Sequence, residues 1–221
     1  MLVQLQSWTQ NKTAGRKAGC FVYTYFMRSY TPKNVSLIPT HAQKVFSGVI
    51  FDVYQWDQEQ FDASTKTFEM IKRPDTVEII AINGDKIIVT NERQPHIDEA
   101  YISIPAGMHD KENENELQAA KRELAEETGY YFKNWKLIRA VQAGSGKIEH
   151  IIYTFLATEL ESVGAQMLDA GEQIEVIEMT FEKFKKSEGI DNMRFYPSAI
   201  MHSADSLSDL LSLPSLHNYA N

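Results

Sequence analysis

The apolar residues of the chain recur mostly with the two-residue period of strands, and in one segment with the period of a helix. Residues 45–56 and 67–72 are rich in β-branched and aromatic side chains, so they predict an N-terminal antiparallel β unit. Residues 77–82 and 86–91 are apolar runs separated by Asn-Gly-Asp at 83–85. Because an Asn-Gly pair tolerates the positive φ of a tight turn, these runs predict a β-hairpin.

Residues 113–128 are predicted to form the main helix. Asn113 is suited to cap this helix, with Glu116 three residues later, and Gly129 is suited to the left-handed position beyond the last turn. The apolar stripe of the helix consists of Leu117, Ala120 and Leu124. The other face is acidic, so the two faces of this helix are chemically distinct.

The remaining apolar runs predict further strands and two short helices. Strands are predicted at residues 101–104, 137–142, 149–156 and 174–179, and helices at residues 181–186 and 203–213. Together with the N-terminal β unit, these elements predict an α+β fold.

The composition and the net charge make several classes of function less suitable for this chain. With 221 residues the chain has room for one domain and a small accessory piece, and its net charge of -8 disfavours a nucleic-acid partner. Cys20 is the only cysteine and cannot form an internal disulfide, which fits a reducing cytoplasm. No apolar run approaches the roughly 18 residues that span a bilayer. We therefore expect a cytoplasmic protein with neither a nucleic-acid nor a membrane partner.

Three glutamates carry the most informative chemistry. Glu123, Glu126 and Glu127 stand at i, i+3 and i+4 of the predicted helix, so their carboxylates project from one face. Three like charges repel one another unless the face is fully solvated or divalent cations bind between them. Mg²⁺ is a hard cation that prefers oxygen ligands, and Arg122 can orient Glu126 by an ion pair. By themselves these residues leave a solvated acidic face and a metal site as alternatives.

The surrounding stretch reads G-M-H-D-K-E-N-E-N-E-L-Q-A-A-K-R-E-L-A-E-E-T-G-Y and resembles the motif of the Nudix family. The fixed places of that motif are filled by Gly107, Glu114, Arg122, Glu123, Leu124, Glu126, Glu127 and Gly129, with Tyr130 at the last apolar place. One departure is present. Six residues rather than five separate Gly107 from Glu114, which lengthens the loop before the helix.

The resemblance implies a Nudix fold, which is a mixed sheet sandwiched between helices, holding Mg²⁺, or alternatively Mn²⁺, against a substrate diphosphate. The implied metal ligands are Glu123, Glu126, Glu127 and the carbonyl of Ala106. Glu126 and Glu127 are also implied catalytic residues. The implied supporting residues of the motif are Gly107, Glu114, Arg122 and Gly129.

Residues 41–195 also resemble the ADP-ribose and nucleotide-sugar pyrophosphatase branch of the family. N-E-R-Q-P stands where the branch has Gln-aromatic-Arg-x-Pro, so Arg93 is either a substrate-binding residue or an ordinary surface arginine. In the stretch G-E-Q-I-E-V at residues 171–176, the resemblance implies that Glu172 is a metal ligand and catalytic residue. Ala170 stands where some members carry a base, which leaves Glu175, a motif glutamate or the metal to activate water.

The substrate expected from this branch is a nucleoside diphosphate sugar such as ADP-ribose, cleaved to a nucleoside monophosphate and a sugar phosphate. Ser103 replaces the usual glutamate before Pro-Ala-Gly, and residues 144–146 replace a proline that is common in ADP-ribose-specific members. Dinucleoside polyphosphates and coenzyme-type diphosphates are therefore alternative substrates. A non-catalytic nucleotide sensor is the alternative from another class.

The predicted organisation has four parts. A flexible tail covers residues 1–40, the N-terminal β unit covers 41–75, the Nudix catalytic domain covers 76–200, and a C-terminal helix and tail cover 201–221. Residues 1–26 are expected to be dispensable. Branch members dimerise through the N-terminal β unit, so a homodimer is expected, with Tyr54 and Trp56 either packing or stacking on a base.

Overall fold

Two sheets organise the described part of the chain, which comprises residues 27–186, 200 and 204–219 of this computed structural model. The strands are β1 Gln43–Ser47, β2 Asp52–Glu59, β3 Thr65–Lys72, β4 Asp75–Asn83, β5 Lys86–Arg93, β6 Tyr101–Ser103, β7 Ala106–His109, β8 Tyr130–Gln142, β9 Ile148–Glu149, β10 Ile151–Val163 and β11 Gln173–Thr180. The helices are α1 Glu116–Thr128, α2 Phe181–Lys186 and α3 Leu207–Ser212.

The first sheet has the order β1-β2-β3-β9. Its first three strands are antiparallel, as the N-terminal β unit was expected to be. The fourth strand, β9, comes from much later in the chain and pairs in parallel with the end of β3, matching Ile71 to Ile148 and Lys72 to Glu149. The β unit is therefore joined to the rest of the fold through main-chain hydrogen bonds as well as through the chain itself.

The second sheet is mixed, with the order β11-β5-β4-β10-β8. Strand β10 runs parallel to β4, whereas the neighbouring pairs are antiparallel. The central strand β4 is buried over nearly its whole length, which explains its continuous apolar run. The predicted hairpin is confirmed: Asn83 pairs with Lys86, and Gly84 takes a φ of 62° in the turn.

Helices cover both faces of this second sheet. On one face, α1 packs Ala120 and Leu124 against a core that includes Val77 and Phe155. On the other face, α2 and α3 contribute Phe181, Phe184 and Leu210 to a second core. The prediction of a mixed sheet between helices is confirmed.

The residue that caps the main helix lies two positions later than predicted. Asn113 has a φ of 61°, a left-handed conformation that cannot start a right-handed helix. Asn115 caps the helix instead, and its side chain and that of Gln118 form a capping box. The end of the helix is as predicted, because Gly129 has a φ of 75° and donates to Ala125 O.

The part of the predicted tail that the structure describes packs against the core. Ser36 N donates to Gln142 Oε1 at 2.7 Å, and Ile38 N donates to Glu149 Oε2 at 2.7 Å. Residues 28–38 therefore have partners on the sheets, which differs from the free tail expected over 1–40. The expectation for residues 1–26 lies outside the described residues. None of the described helices has the length and apolarity needed to cross a membrane.

Candidate active site

Arg122 organises the acidic face of α1. Its Nε and Nη2 donate to the two carboxylate oxygens of Glu114 at 2.9 and 3.0 Å, in a bidentate pair. Its Nη1 donates to Glu123 at 2.7 Å and to Glu126 at 3.0 Å, and its Nη2 also donates to Met108 O at 2.9 Å. One guanidinium therefore sets the positions of three glutamates and ties the helix to the preceding loop.

The loop before α1 approaches the helix very closely. A Cβ at residue 107 would overlap the carboxylate of Glu123, so only glycine permits this approach. At the end of β7, His109 is fully buried, and its Nε2 lies 2.6 Å from Glu114 O. This contact holds the end of β7 to the residues just before the helix.

Glu127 is the most deeply buried glutamate of the motif, with 6% of its surface exposed. Its Oε2 accepts a hydrogen bond from Ala106 N at 3.0 Å, which ties the end of α1 to β7. Burial raises the pKa of Glu127 well above its ordinary value, and the negative charge of Glu92 raises it further. Burial also raises the pKa of Glu123 to about 7, although the neighbouring Arg122 opposes that change.

The late segment, residues 164–173, is fastened to the end of α1. Gln166 Nε2 donates to Glu127 O at 2.6 Å, and Met167 N donates to Glu126 O at 2.8 Å. These bonds bring the half-buried Glu172 beside the helix. Burial raises the pKa of Glu172, and the charges of Glu92 and Glu126 act in the same direction. The carboxylate at 172 therefore faces the same acidic group as Glu127.

Glu92 belongs to this acidic group, and the sequence analysis did not identify it. It lies on β5 with 5% of its surface exposed, and accepts hydrogen bonds from Thr90 Oγ1 at 2.6 Å and Tyr101 Oη at 2.9 Å. The signal was present in N-E-R-Q-P, where Glu92 occupies the aromatic place of the branch pattern. A buried acid in an aromatic place departs from ordinary strand composition.

Arg93 and Glu175 are not part of this group. Arg93 is exposed at the end of β5, opposite Gln173, and the strand pleat directs its side chain to the face opposite that of Glu92. Glu175 is also exposed, and it accepts a hydrogen bond from Asn91 Nδ2 at 3.4 Å. The side chains that the structure brings together are thus those of α1, β5 and the late segment.

A family model described as NUDIX domain matches residues 72–198, which is more than half of the chain. The chain belongs to the Nudix family. An ADP-ribose pyrophosphatase of Bacillus subtilis (strain 168) is 34% identical to it over 142 residues, covering 63% of this chain and 76% of the relative. A methanol dehydrogenase activator of Bacillus methanolicus is 29% identical over 143 residues, covering 64% and 77%.

A solved structure also supports the Nudix fold. It is described as the crystal structure of an ADP compounds hydrolase and superposes with a TM-score of 0.59, covering 74% of this chain and 90% of that one. At 17% identity, this likeness concerns the fold. The matched family and the similarity to the Bacillus subtilis relative identify the chain as a Nudix hydrolase of the pyrophosphatase type.

Nudix hydrolases use divalent metals, and the residues of this chain fit one. Among the described residues, no three acidic or histidine side chains are already arranged around one metal position. Glu123 and Glu126 accept hydrogen bonds from Arg122 instead. The side-chain atoms that would bind the metal are carboxylate oxygens, which hard divalent cations prefer. Burial is the main cause of the raised pKa values of Glu123 and Glu127, and neighbouring carboxylates raise both further, so a divalent cation at this position would relieve the repulsion.

Proposed function

We propose that this Nudix hydrolase cleaves the diphosphate linkage of a nucleoside diphosphate sugar such as ADP-ribose in a Mg²⁺-dependent reaction. A water oxygen bonds to one phosphorus, the bridging P–O bond breaks, and the products are a nucleoside monophosphate and a sugar phosphate. The observation that carries the proposal is the buried carboxylate of Glu127, held by Ala106 N among Glu92, Glu123 and Glu172. The similarity to an ADP-ribose pyrophosphatase supports the choice of substrate.

The residues that would hold the metal come from three parts of the fold. They are Glu123, Glu126 and Glu127 of α1, Glu172 of the late segment and the carbonyl of Ala106 in β7. Mg²⁺ is the expected ion and Mn²⁺ the alternative. When bound, such a cation polarises phosphoryl oxygens, lowers the pKa of a coordinated water and neutralises negative charge on the leaving phosphate.

The protein's own groups position the acidic face and exclude water from part of it. Arg122 holds Glu123 and Glu126 on one side of the helix through its Nη1. Glu127 is buried, and the low dielectric constant of its surroundings strengthens the attraction between its carboxylate and a cation. Because a diphosphate is itself anionic, these carboxylates would repel it without a cation between them.

Glu92 contributes a further carboxylate to the site. Its hydroxyl partners, Thr90 and Tyr101, orient the carboxylate without neutralising its charge. The proposed role of Glu92 is to strengthen cation binding by adding negative charge beside Glu127. Ala170 supplies no carboxylate to the late segment, whereas Glu92 supplies one from β5 beside Glu127.

Arg93 is proposed to bind the substrate away from the acidic group. It precedes the turn after β5 and lies opposite Gln173, next to Glu172 in the chain. A guanidinium at this end of the sheet can meet a phosphate or a base edge of a substrate whose diphosphate lies over α1.

The homodimer expected from the family branch is supported by the surface of the N-terminal β unit. Strand β1 is exposed throughout, and the exposed apolar side chains of β1 and the following loop are Val45, Phe46, Val49, Ile50 and Phe51. An exposed apolar patch of this kind is typical of an interaction surface. Trp56 packs on Phe68 with ring centroids 4.9 Å apart, which favours packing over base stacking for that residue. Cytoplasmic location stays a prediction.

A panel of diphosphates tests the proposed substrate class. The purified protein is incubated with Mg²⁺ and ADP-ribose, ADP-glucose, GDP-mannose or a dinucleoside polyphosphate, and products are separated by chromatography. We expect ADP-ribose or another nucleoside diphosphate sugar to have the highest kcat/KM. Preferred hydrolysis of the dinucleotide would contradict the substrate class, and absence of turnover throughout would favour the nucleotide sensor.

A further inference from the structure

Glu116 is a buried carboxylate that the Nudix motif does not include. It is the first residue of α1 and is fully inaccessible to solvent. Its Oε2 accepts a hydrogen bond from Ser29 N at 2.9 Å, and its Oε1 accepts from Tyr30 N at 2.8 Å and from Tyr219 Oη at 2.8 Å. Because a buried carboxylate is unfavourable without such donors, both chain segments are needed to hold it there.

The N-terminal donors to Glu116 belong to residues 28–38, a segment that we call the strap. The strap forms hydrogen bonds with residues of the sheets. Arg28 forms a bidentate pair with Asp75, through Nε at 2.6 Å and Nη2 at 3.0 Å, and its Nη1 lies 3.3 Å from Glu149 Oε1. Tyr153 Oη donates to Tyr30 O at 2.8 Å. The strap therefore connects the junction of the two sheets to the first turn of α1.

The C-terminal partner of Glu116 is fixed by aromatic contacts. The Tyr219 ring lies 4.7 Å from His217, edge to face, and 5.9 Å from Phe155 of the core. Tyr30 of the strap contacts the same histidine, with ring centroids 5.8 Å apart. The strap and residues 217–219 thus support each other at the start of the helix.

The first turn of α1 is connected to the acidic face by a short series of bonds. Two residues before Glu116, the carboxylate of Glu114 holds Arg122 in a bidentate pair. Arg122 in turn donates to Glu123 and Glu126. Displacement of the helix start would therefore move Glu114 and change the orientation of the guanidinium that holds the two glutamates.

We propose that Glu116 is a positioning residue that couples the N-terminal strap and residues 217–219 to the metal-binding face of α1. The proposal rests on the proposed function, since it assumes that Glu123 and Glu126 bind a divalent metal. It assigns a role in hydrolysis to chain segments that lie outside the motif.

The test compares Glu116→Gln and Tyr219→Phe with wild-type protein. Glutamine keeps the size of Glu116 but replaces one acceptor oxygen with a donor, which then faces a main-chain N–H; Tyr219→Phe removes one hydroxyl donor. Glu182→Gln is the matched control, because Glu182 is an exposed glutamate in the first turn of α2. Mn²⁺ affinity is measured by electron paramagnetic resonance without substrate, and kcat and KM are measured well below the melting temperature of each variant.

For Glu116→Gln we expect about tenfold weaker Mn²⁺ binding and about tenfold lower kcat with little change in KM, as is typical when outer partners of metal ligands are removed. Tyr219→Phe should give a smaller change in the same direction, and Glu182→Gln none. Amide hydrogen exchange in the first turn of α1 should be faster in Glu116→Gln.

Two other outcomes separate the hypotheses. If wild-type protein binds Mn²⁺ and hydrolyses a diphosphate while Glu116→Gln matches Glu182→Gln in affinity and kcat, the positioning role is refuted and the proposed function stands. If only the melting temperature falls, Glu116 is purely structural and the positioning role is again refuted. If the wild type neither binds Mn²⁺ nor hydrolyses any diphosphate, the proposed function and the positioning role both fail.

Discussion

Gly107 and Glu123 stand so close together that a methyl group on residue 107 would occupy the space of the glutamate's carboxylate. Strand β7 and helix α1 can thus lie this close together because residue 107 has no side chain. The same glutamate accepts a hydrogen bond from Arg122 Nη1, so both the main chain at Gly107 and the guanidinium restrict its position.

Gly107→Ala should displace the Glu123 carboxylate and reduce kcat by about a hundredfold, since displacements of about 1 Å at a catalytic site have effects of that size. The measurement is steady-state hydrolysis together with a far-UV spectrum to verify folding. Gly84→Ala is a useful comparison, because no atom lies within 4 Å of a Cβ at Gly84, although its positive φ makes the change mildly destabilising. Equal activity of the two variants would contradict the close approach.

Arg122→Lys keeps the charge but loses the fork that binds Glu114 through two nitrogens. We expect about 10- to 100-fold weaker Mn²⁺ binding in calorimetric titration, because Glu123 and Glu126 lose their common partner. Lys133→Arg, at an exposed position paired with Glu159, serves as the control. Unchanged Mn²⁺ affinity in Arg122→Lys would show that the guanidinium does not organise the acidic face.

Glu92→Gln tests whether the buried acid of β5 strengthens cation binding. The variant keeps one acceptor oxygen, puts an amide NH2 donor in place of the oxygen that the other hydroxyl now meets, and removes one negative charge beside Glu127. We expect about tenfold weaker Mg²⁺ binding, judged by the concentration that gives half-maximal activity. Glu99→Gln, at an exposed position, is the control. An unchanged Mg²⁺ requirement would remove Glu92 from the site.

His150 makes stability depend on pH. Burial, together with the positive charge of Arg73, lowers its pKa from 6.5 to about 4, and Thr76 Oγ1 lies 2.9 Å from its Nε2. Between pH 6.5 and pH 4, His150 is therefore protonated in the unfolded chain and neutral in the folded chain. The free energy of unfolding is therefore unaffected by His150 above pH 6.5 and decreases by about 3 kcal/mol as the pH falls to 4, at about 1.4 kcal/mol per pKa unit.

Urea unfolding of wild-type protein and His150→Gln between pH 4 and pH 7 measures this effect. The variant should lose less stability as the pH falls, whereas His41→Gln, at an exposed position, should follow the wild type. Parallel curves for wild type and His150→Gln would contradict the assignment.

The fold could be predicted largely because its signals are local. The hairpin at Gly84 and the end of α1 at Gly129 depend on residues that adopt positive φ readily. The start of α1 was misplaced because Asn113 and Asn115 are both suitable caps by composition. The left-handed conformation of Asn113 and the capping box of Asn115 with Gln118 decide between them.

The site could be predicted only where its residues are neighbours in sequence. The helical spacing of Glu123, Glu126 and Glu127 indicated their shared face. Glu92 and Glu116 acquire their importance from partners far along the chain, as Glu116 does from Tyr219, so no periodic pattern marks them. The contacts of the strap were missed for the same reason, because Arg28, Ser36 and Ile38 bond to residues far along the chain.

The measurement that tests the central claim most directly is hydrolysis of ADP-ribose by wild-type protein and Glu127→Gln, with Mg²⁺ and with a chelator. We predict that AMP and ribose phosphate form only with Mg²⁺. The substitution should lower kcat by about a hundredfold or more, because loss of a ligand exceeds the loss of its outer partners. Equal turnover by Glu127→Gln, or turnover unaffected by the chelator, would contradict metal-dependent hydrolysis at this site.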